Sequence, residues 1–262
     1  MEYLDALRHG RFGRCQVCGR FTAWLYRRRV VSPRLEELWG LTARLAKALA
    51  RKESLDCARC GAKLRARRIA TVLLELYPVG NPPRPAASVW EWVRSAEART
   101  LQVAEINRVD GLHDVLIALP LLTYSDFFPG AGPGEMIDGV RSEDLTQLTF
   151  ADESFDLVVT SESLEHVPDL DAALSEIRRV LVPGGRHLFT VPLLPGVRST
   201  FRRMSLAPDG TLTRHTVEIR HPGGDTGYPV FTEFGADLTK LLESAGFKVQ
   251  VHHGPVTEDD LG

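Results

Sequence analysis

From Thr100 onward, short apolar runs alternate with amphipathic stretches. "LQVAEI", "LLTYS", "FDLVVTS" and "RHLFTVPL" have the length and residue types of strands. "GLHDVLIAL", "DAALSEIRRVL" and "FTEFGADLTKLLESAGF" carry helical spacing between and after them, and "KVQVHH" follows the last helix. Alternation of this kind predicts an α/β fold with a parallel sheet covered on both faces. Ligands in such sheets bind beyond the carboxyl ends of the strands, at the point where strand order reverses.

The chain before Thr100 has a different texture. Ser32 and Pro33 form a cap and first turn, and Leu35, Leu38, Leu41, Leu45 and Leu49 recur at helical spacing. One amphipathic helix with a basic outer face is expected there. "RARRIATVLLELYP" reads as a second helix ending before Pro78, "VGNPPRPAAS" as a linker, and "SVWEWVRSAEA" as a short helix. The expected division is a basic segment over 1–78, a linker and helix over 79–99, and an α/β domain over 100–262.

Composition narrows the class. Apolar residues make up 44% and charged residues 25%, the profile of a soluble globular protein. No window approaches 18 uninterrupted apolar residues, and the N-terminus lacks a leader pattern, so a cytoplasmic protein with no membrane partner is expected. The net charge of −2 hides an asymmetry: residues 1–70 hold 17 Lys and Arg against 6 Asp and Glu, and the remainder is acidic. The basic segment serves either an acidic surface within or outside the chain, or a nucleic acid. No aromatic-rich RNA signature accompanies it, so the nucleic-acid reading is not favoured.

All four cysteines lie in that segment, as Cys15-x-x-Cys18 and Cys57-x-x-Cys60, each pair followed by glycine. Two intervening residues let both sulfurs face one point, and the glycine lets the backbone turn toward them. Four thiolates in two such knuckles suit tetrahedral zinc in a structural role, because no coordination position stays open. Disulfides are disfavoured in a cytoplasmic chain.

From Gly139 to Pro192, "LTFADESFDLVV", "LEHVPD" and "IRRVLVPGG" follow one another at close spacing. Together they resemble the class I S-adenosylmethionine-dependent methyltransferases of the type 11 group. The resemblance implies a Rossmann-like sheet with helices on both faces, here joined to a small zinc-binding helical domain. It also implies site residues. Asp126, ending "LLTYSD", would hold the ribose hydroxyls, and Asp144 with the backbone of Leu145 would read the adenine edge. Ser161, Glu162 and His166 would line the methionine end and the mouth of the acceptor pocket, and Glu165 with His166 sits at a ligand-facing strand end, which favours function over scaffold. In "RRVLVPGG" the Pro-Gly-Gly run is expected to stop the helix before the next strand.

Two departures stand out. The first loop of the family reads acid-x-Gly-x-Gly; here it is Glu105-Ile106-Asn107-Arg108-Val109-Asp110-Gly111. Three explanations stay open. The site has decayed, or Asn107 adopts the left-handed turn that glycine would take, or Arg108 grips the methionine carboxylate by a bidentate pair. The expected final strand is also missing after "KVQVHH".

Residues 195–230 correspond to the segment that shapes the acceptor pocket in relatives. His215, His221, Asp225 and Tyr228 are candidates there, with His221 as a base and Asp225 as its orienter. The reading is a methyltransferase acting on a small molecule or carrier-attached intermediate at oxygen. The alternatives are an RNA methyltransferase whose basic zinc domain holds substrate, and a non-catalytic binding protein with a degenerate fold.

Overall fold

The computed structural model describes residues 12–26, 32–193, 196–207, 209–221 and 227–252. Its chain divides into two compact units. The first gathers the described residues up to Leu101 with Val109–Leu122 and His252; the second holds Gln102–Arg108 and the described residues of Thr123–Val251.

In the first unit, β1 (Phe12–Arg14), β2 (Phe21–Leu25) and β3 (Asp56–Cys57) form an antiparallel sheet in that order. The unit is therefore mixed rather than helical, because each cysteine knuckle is a tight turn that closes or ends a strand. Two helices, α1 (Pro33–Leu38) and α2 (Ala43–Lys52), replace the single helix expected over this stretch. Gly40 breaks it at φ +59°: its N–H donates to the Glu37 carbonyl and the Leu41 N–H reaches back to Glu36, a Schellman stop. Thr42 then caps α2 by accepting from the Leu45 N–H.

Helix α3 (Leu64–Leu76) buries Ala66, Ile69, Ala70 and Leu73, one face at helical spacing. A short helix, α4 (Val89–Trp92), is capped by Ser88 and buries Trp92. Helix α5 (Asp110–Leu116) belongs to the same unit and buries Leu112, Val115 and Leu116. It starts hard against the second knuckle: a Cβ added at Gly111 would lie 1.9 Å from the Cys60 carbonyl oxygen. The Asp110 carboxylate lies 3.4 Å from Lys63 Nζ and 3.3 Å from Arg65 Nε.

The second unit is built on a six-stranded sheet. Its strands are β4 (Val103–Ile106), β5 (Leu122–Asp126), β6 (Met136–Ile137), β7 (Val140–Ser142), β8 (Phe155–Ser161) and β9 (Leu181–Thr190), in the order β6-β7-β5-β4-β8-β9. The β5–β7, β4–β8 and β8–β9 pairs are parallel, and β6 runs antiparallel to β7. This is the expected Rossmann-like sheet, with the order reversing between β4 and β8. Every residue of β4 is buried, which explains why it is apolar apart from Glu105.

Helix α6 (Leu170–Val180) is capped by Asp169, whose carboxylate accepts from the Ala172 N–H. It buries Leu170, Ala173, Leu174, Ile177 and Val180 against the sheet. Arg179, in its last turn, donates to the carbonyls of Leu148 and Phe150 and pairs with Asp152 and Glu176. That network makes "LTFADESFD" and "IRRVL" parts of one scaffold. Pro183-Gly184-Gly185 does not stop the helix. The helix ends at Val180, and the run forms a bulge within β9, where the register with β8 jumps from Phe155–Leu181 to Leu157–Arg186.

Beyond β9 come short pairs: β10 (Phe201–Arg202) with β15 (Thr232–Glu233), β11 (Met204–Leu206) with β12 (Leu212–Arg214), and β13 (Arg220–His221) with β14 (Tyr228–Pro229). Helix α7 (Leu238–Ser244) follows. The stretch "KVQVHH" forms no strand within the described residues; Phe247 and Val249 instead lay their side chains on the α6 core. Among the described residues, no helix is long and apolar enough to cross a membrane.

The contact of Gly111 with backbone leaves no side chain that could yield. Gly111→Ala is expected to lower stability by at least about 2 kcal/mol, against under about 0.5 kcal/mol for Gly132→Ala, whose added Cβ meets nothing nearer than 3.9 Å. Urea denaturation of the two variants checks this; equal midpoints would show that α5 can back away from the knuckle.

Candidate functional site

The four cysteines converge. Cys15 Sγ lies 3.8 Å from Cys60 Sγ and Cys18 Sγ lies 3.9 Å from Cys57 Sγ, with all four sulfurs inside 4.8 Å of one another. Those spacings are too long for disulfides. They fit a tetrahedral ion, since zinc about 2.3 Å from each sulfur sets the sulfurs about 3.8 Å apart. The two knuckles repeat one design. Gly19 and Gly61 take φ of +72° and +68° and donate to the carbonyls of Cys15 and Cys57, each at 2.8 Å. The Arg59 N–H donates to the Cys57 sulfur at 3.4 Å. The cluster fits a small zinc-binding region.

At the switch point, Asn107 follows β4 with φ +66°, the left-handed turn that glycine takes in the family loop. Its N–H donates to the Ser125 carbonyl at 2.9 Å. Its Oδ1 accepts from the Phe127 N–H at 3.1 Å, and its Nδ2 donates to Ser163 Oγ at 3.0 Å. One side chain thus ties the ends of β4 and β5 to the loop after β8. Gly111, the one glycine of that sequence, serves the second knuckle and not this turn.

Asp126 ends β5, as expected. The Tyr124 hydroxyl donates to its Oδ2 at 2.9 Å, and the Phe127 N–H donates to its Oδ1 at 2.9 Å. Burial first, then the Asp126 charge, pushes the Tyr124 phenol up, so it stays a donor. Asp144 lies just beyond β7 and accepts from the Thr146 N–H and hydroxyl through Oδ1, at 2.8 and 2.7 Å. The Leu145 side chain is in the core. Glu105 is fully buried within β4, while Arg108 is exposed. Ser161 ends β8 and shares a hydrogen bond with Thr190 Oγ1 at 2.9 Å; Glu162 follows at φ +52°.

Glu165 and His166 lie on a 3₁₀ turn, Leu164–His166, pinned by Leu164 in the core and by the Phe231 N–H, which donates to the Glu165 carbonyl. His166 Nδ1 lies 2.7 Å from the Pro229 carbonyl, which can only accept, so Nδ1 carries the proton. Nε2 then faces Glu165 Oε1 at 3.6 Å. His221 Nδ1 lies 3.6 Å from the same oxygen, and the two imidazole rings meet edge to face at 4.9 Å. The Tyr228 ring is 5.8 Å from that of His166. Burial holds the His166 imidazole below its ordinary value, with the Glu165 charge opposing it.

The strand pairs after β9 bring His221 here. Arg203 and Glu233 form a buried ion pair at 2.7 Å, and the same guanidinium holds Thr216 Oγ1 and the Val217 carbonyl. Asp225, expected to orient His221, lies outside the described residues. The carboxylate that faces His221 is Glu165, the acid of "LEHVPD". His215 is not part of this cluster; it is exposed and bonds Ser205 Oγ at 3.0 Å. Tyr124 and Ser163 were missed: Tyr124 acts through its near neighbour Asp126, and Ser163 through Asn107, distant in sequence.

Residues 130–189 match a family model described as a methyltransferase domain, which covers the three motifs that carry the resemblance. The ubiquinone/menaquinone biosynthesis C-methyltransferase UbiE of Burkholderia cenocepacia is 31% identical over 130 residues, covering 42% of this chain and 51% of that protein. A probable S-adenosylmethionine-dependent methyltransferase of Mycolicibacterium smegmatis is 34% identical over 122 residues, 44% of this chain and 38% of that one. The chain thus spans about half the length, or less, of the curated relatives it matches. The solved S-adenosylmethionine-dependent methyltransferase of Mesorhizobium loti aligns at 19% identity with a TM-score of 0.38, over 58% of this chain and 76% of that one. These three are named as methyltransferases.

Proposed function

We propose that the protein transfers a methyl group from S-adenosylmethionine to a hydroxyl oxygen of a small molecule or carrier-attached intermediate. The observation that carries the reading is the Asn107 turn beside Asp126 at the switch point. The backbone there can approach a ligand without the family's glycines, and a partly exposed carboxylate stands where it would accept hydrogen bonds from a ribose diol. Asp126 and Tyr124 would hold the ribose, Asp144 and the Leu145 N–H the adenine, and Asn107 and Arg108 the methionine carboxylate. Ser161 and His166 would line the methyl end. The cofactor supplies an electrophilic methyl on a sulfonium.

The chain's own task is then positioning and proton transfer. As the acceptor oxygen forms its bond to the methyl carbon, the carbon–sulfur bond breaks with its electron pair going to sulfur. The hydroxyl proton goes to His221, backed by Glu165. The name of the Burkholderia relative points to carbon as the alternative methyl-accepting atom, and the site of methylation on the product separates the two. The four cysteines would hold one structural zinc. The basic N-terminal segment would serve an acidic surface, and the protein would act in the cytoplasm.

Calorimetric titration with S-adenosylhomocysteine tests the reading. Asp126→Ala should weaken binding more than tenfold. Arg108→Ala should weaken it only about three- to tenfold, because an exposed ion pair is screened. His221→Ala should bind the ligand normally yet lose most turnover on a hydroxylated acceptor. No wild-type binding at millimolar ligand would end the enzyme reading and leave a binding protein with a decayed site.

Elemental analysis of purified protein is expected to give one zinc per chain, lost in Cys57→Ser together with the fold of the first unit. Well under one metal per chain would contradict the structural-zinc assignment.

A further inference from the structure

Glu165, His166 and His221 share a geometry that goes beyond a base and its orienter. We propose that these three side chains form a binding site for a divalent transition-metal ion, distinct from the cysteine cluster. Each offers one ligand atom, and the three atoms lie within 4.8 Å of one another. Glu165 Oε1 is the hub, 3.6 Å from His166 Nε2 and 3.6 Å from His221 Nδ1. Ligands about 2.0–2.2 Å from a zinc-like ion sit roughly 3.0–3.5 Å apart, so a small inward movement closes the site.

The surrounding contacts favour coordination in two ways. The Pro229 carbonyl fixes the His166 proton on Nδ1, which aims the Nε2 lone pair at the hub. Ligating histidines are oriented in this manner, by a carbonyl or carboxylate on the other ring nitrogen. Glu165 is fully buried, and a carboxylate placed between two imidazoles in the interior gains from a cation at its side. Two histidines and one carboxylate leave positions open, unlike the cysteine cluster. The ligand set suits zinc, iron(II), cobalt(II) or manganese(II) over calcium, which prefers oxygen donors alone.

A role for the ion in catalysis rests on the proposed function; the binding itself does not. An acceptor hydroxyl on an open position would lose its proton more readily, so the ion would take over from His221 the task of acidifying it. An acceptor with two adjacent oxygens would chelate, which gives such a compound an advantage over a lone alcohol.

The test uses the full chain with zinc already loaded on its cysteines, titrated with cobalt(II) alone. Calorimetry gives the stoichiometry, and visible absorption gives the donor type. The expected result is one further equivalent of cobalt, with ligand-field bands and no thiolate charge transfer. Affinity should fall at least tenfold in His221→Ala and in the isosteric Glu165→Gln, and stay unchanged in His215→Ala. Titration of the same variants with S-adenosylhomocysteine reports whether each is folded, and Glu165→Gln carries the comparison if His221→Ala is not. Wild-type protein that takes up no second equivalent overturns the proposal, as does equal uptake by a folded Glu165→Gln. Cobalt uptake without S-adenosylhomocysteine binding would leave the metal site standing and remove the methyltransferase reading; the reverse would leave the enzyme and remove the metal.

Discussion

The organisation of the second unit depends on the turn at Asn107. A parallel sheet whose order reverses between β4 and β8 opens a crevice there, and something must hold its rims. Asn107 does so with one backbone and two side-chain hydrogen bonds, reaching Ser125, Phe127 and Ser163. Glycines in this turn would supply conformational freedom and no side chain. Asparagine supplies the same left-handed φ at a modest strain and adds a clamp. The departure from the family's loop is thus a change in how the turn is held.

Much of the α/β half was legible in the sequence because local pattern and tertiary role agree. "FDLVVTS" is β8 and "DAALSEIRRV" lies in α6, since burial on a strand and on a helix stripe each leaves a period. What failed was punctuation. Gly40 splits a leucine pattern that continues across the break, and Pro183-Gly184-Gly185 makes a bulge where a helix stop was expected. Both hinge on which backbone carbonyl a glycine N–H or Cα meets, and the order of residues does not encode that. Gly111 is the plainest case. It reads as a remnant of a cofactor loop, yet its lack of a side chain serves contact with the Cys60 carbonyl.

The candidate site divides in the same way. Asp126 and Ser161 end strands and Asp144 lies just beyond one, and the resemblance singles out all three. The His221 partner could not be found so, because 56 positions separate it from Glu165 in the chain and a nearer carboxylate, Asp225, competes on paper. The buried Arg203–Glu233 pair and the β13–β14 register bring His221 across that distance. Breaking a buried pair of that kind by removing one partner costs about 3–5 kcal/mol, so it anchors the strands that carry His221.

The most direct measurement of the central claim is the affinity of Asn107 variants for S-adenosylhomocysteine. Wild-type protein should bind, and Asn107→Gly, which keeps the turn but loses the clamp, should bind about tenfold more weakly. Asn107→Ala loses the clamp and also strains at positive φ, so it should be weaker still. If Asn107→Ala binds as tightly as wild type, the turn is a structural detail of the sheet and the cofactor is held elsewhere.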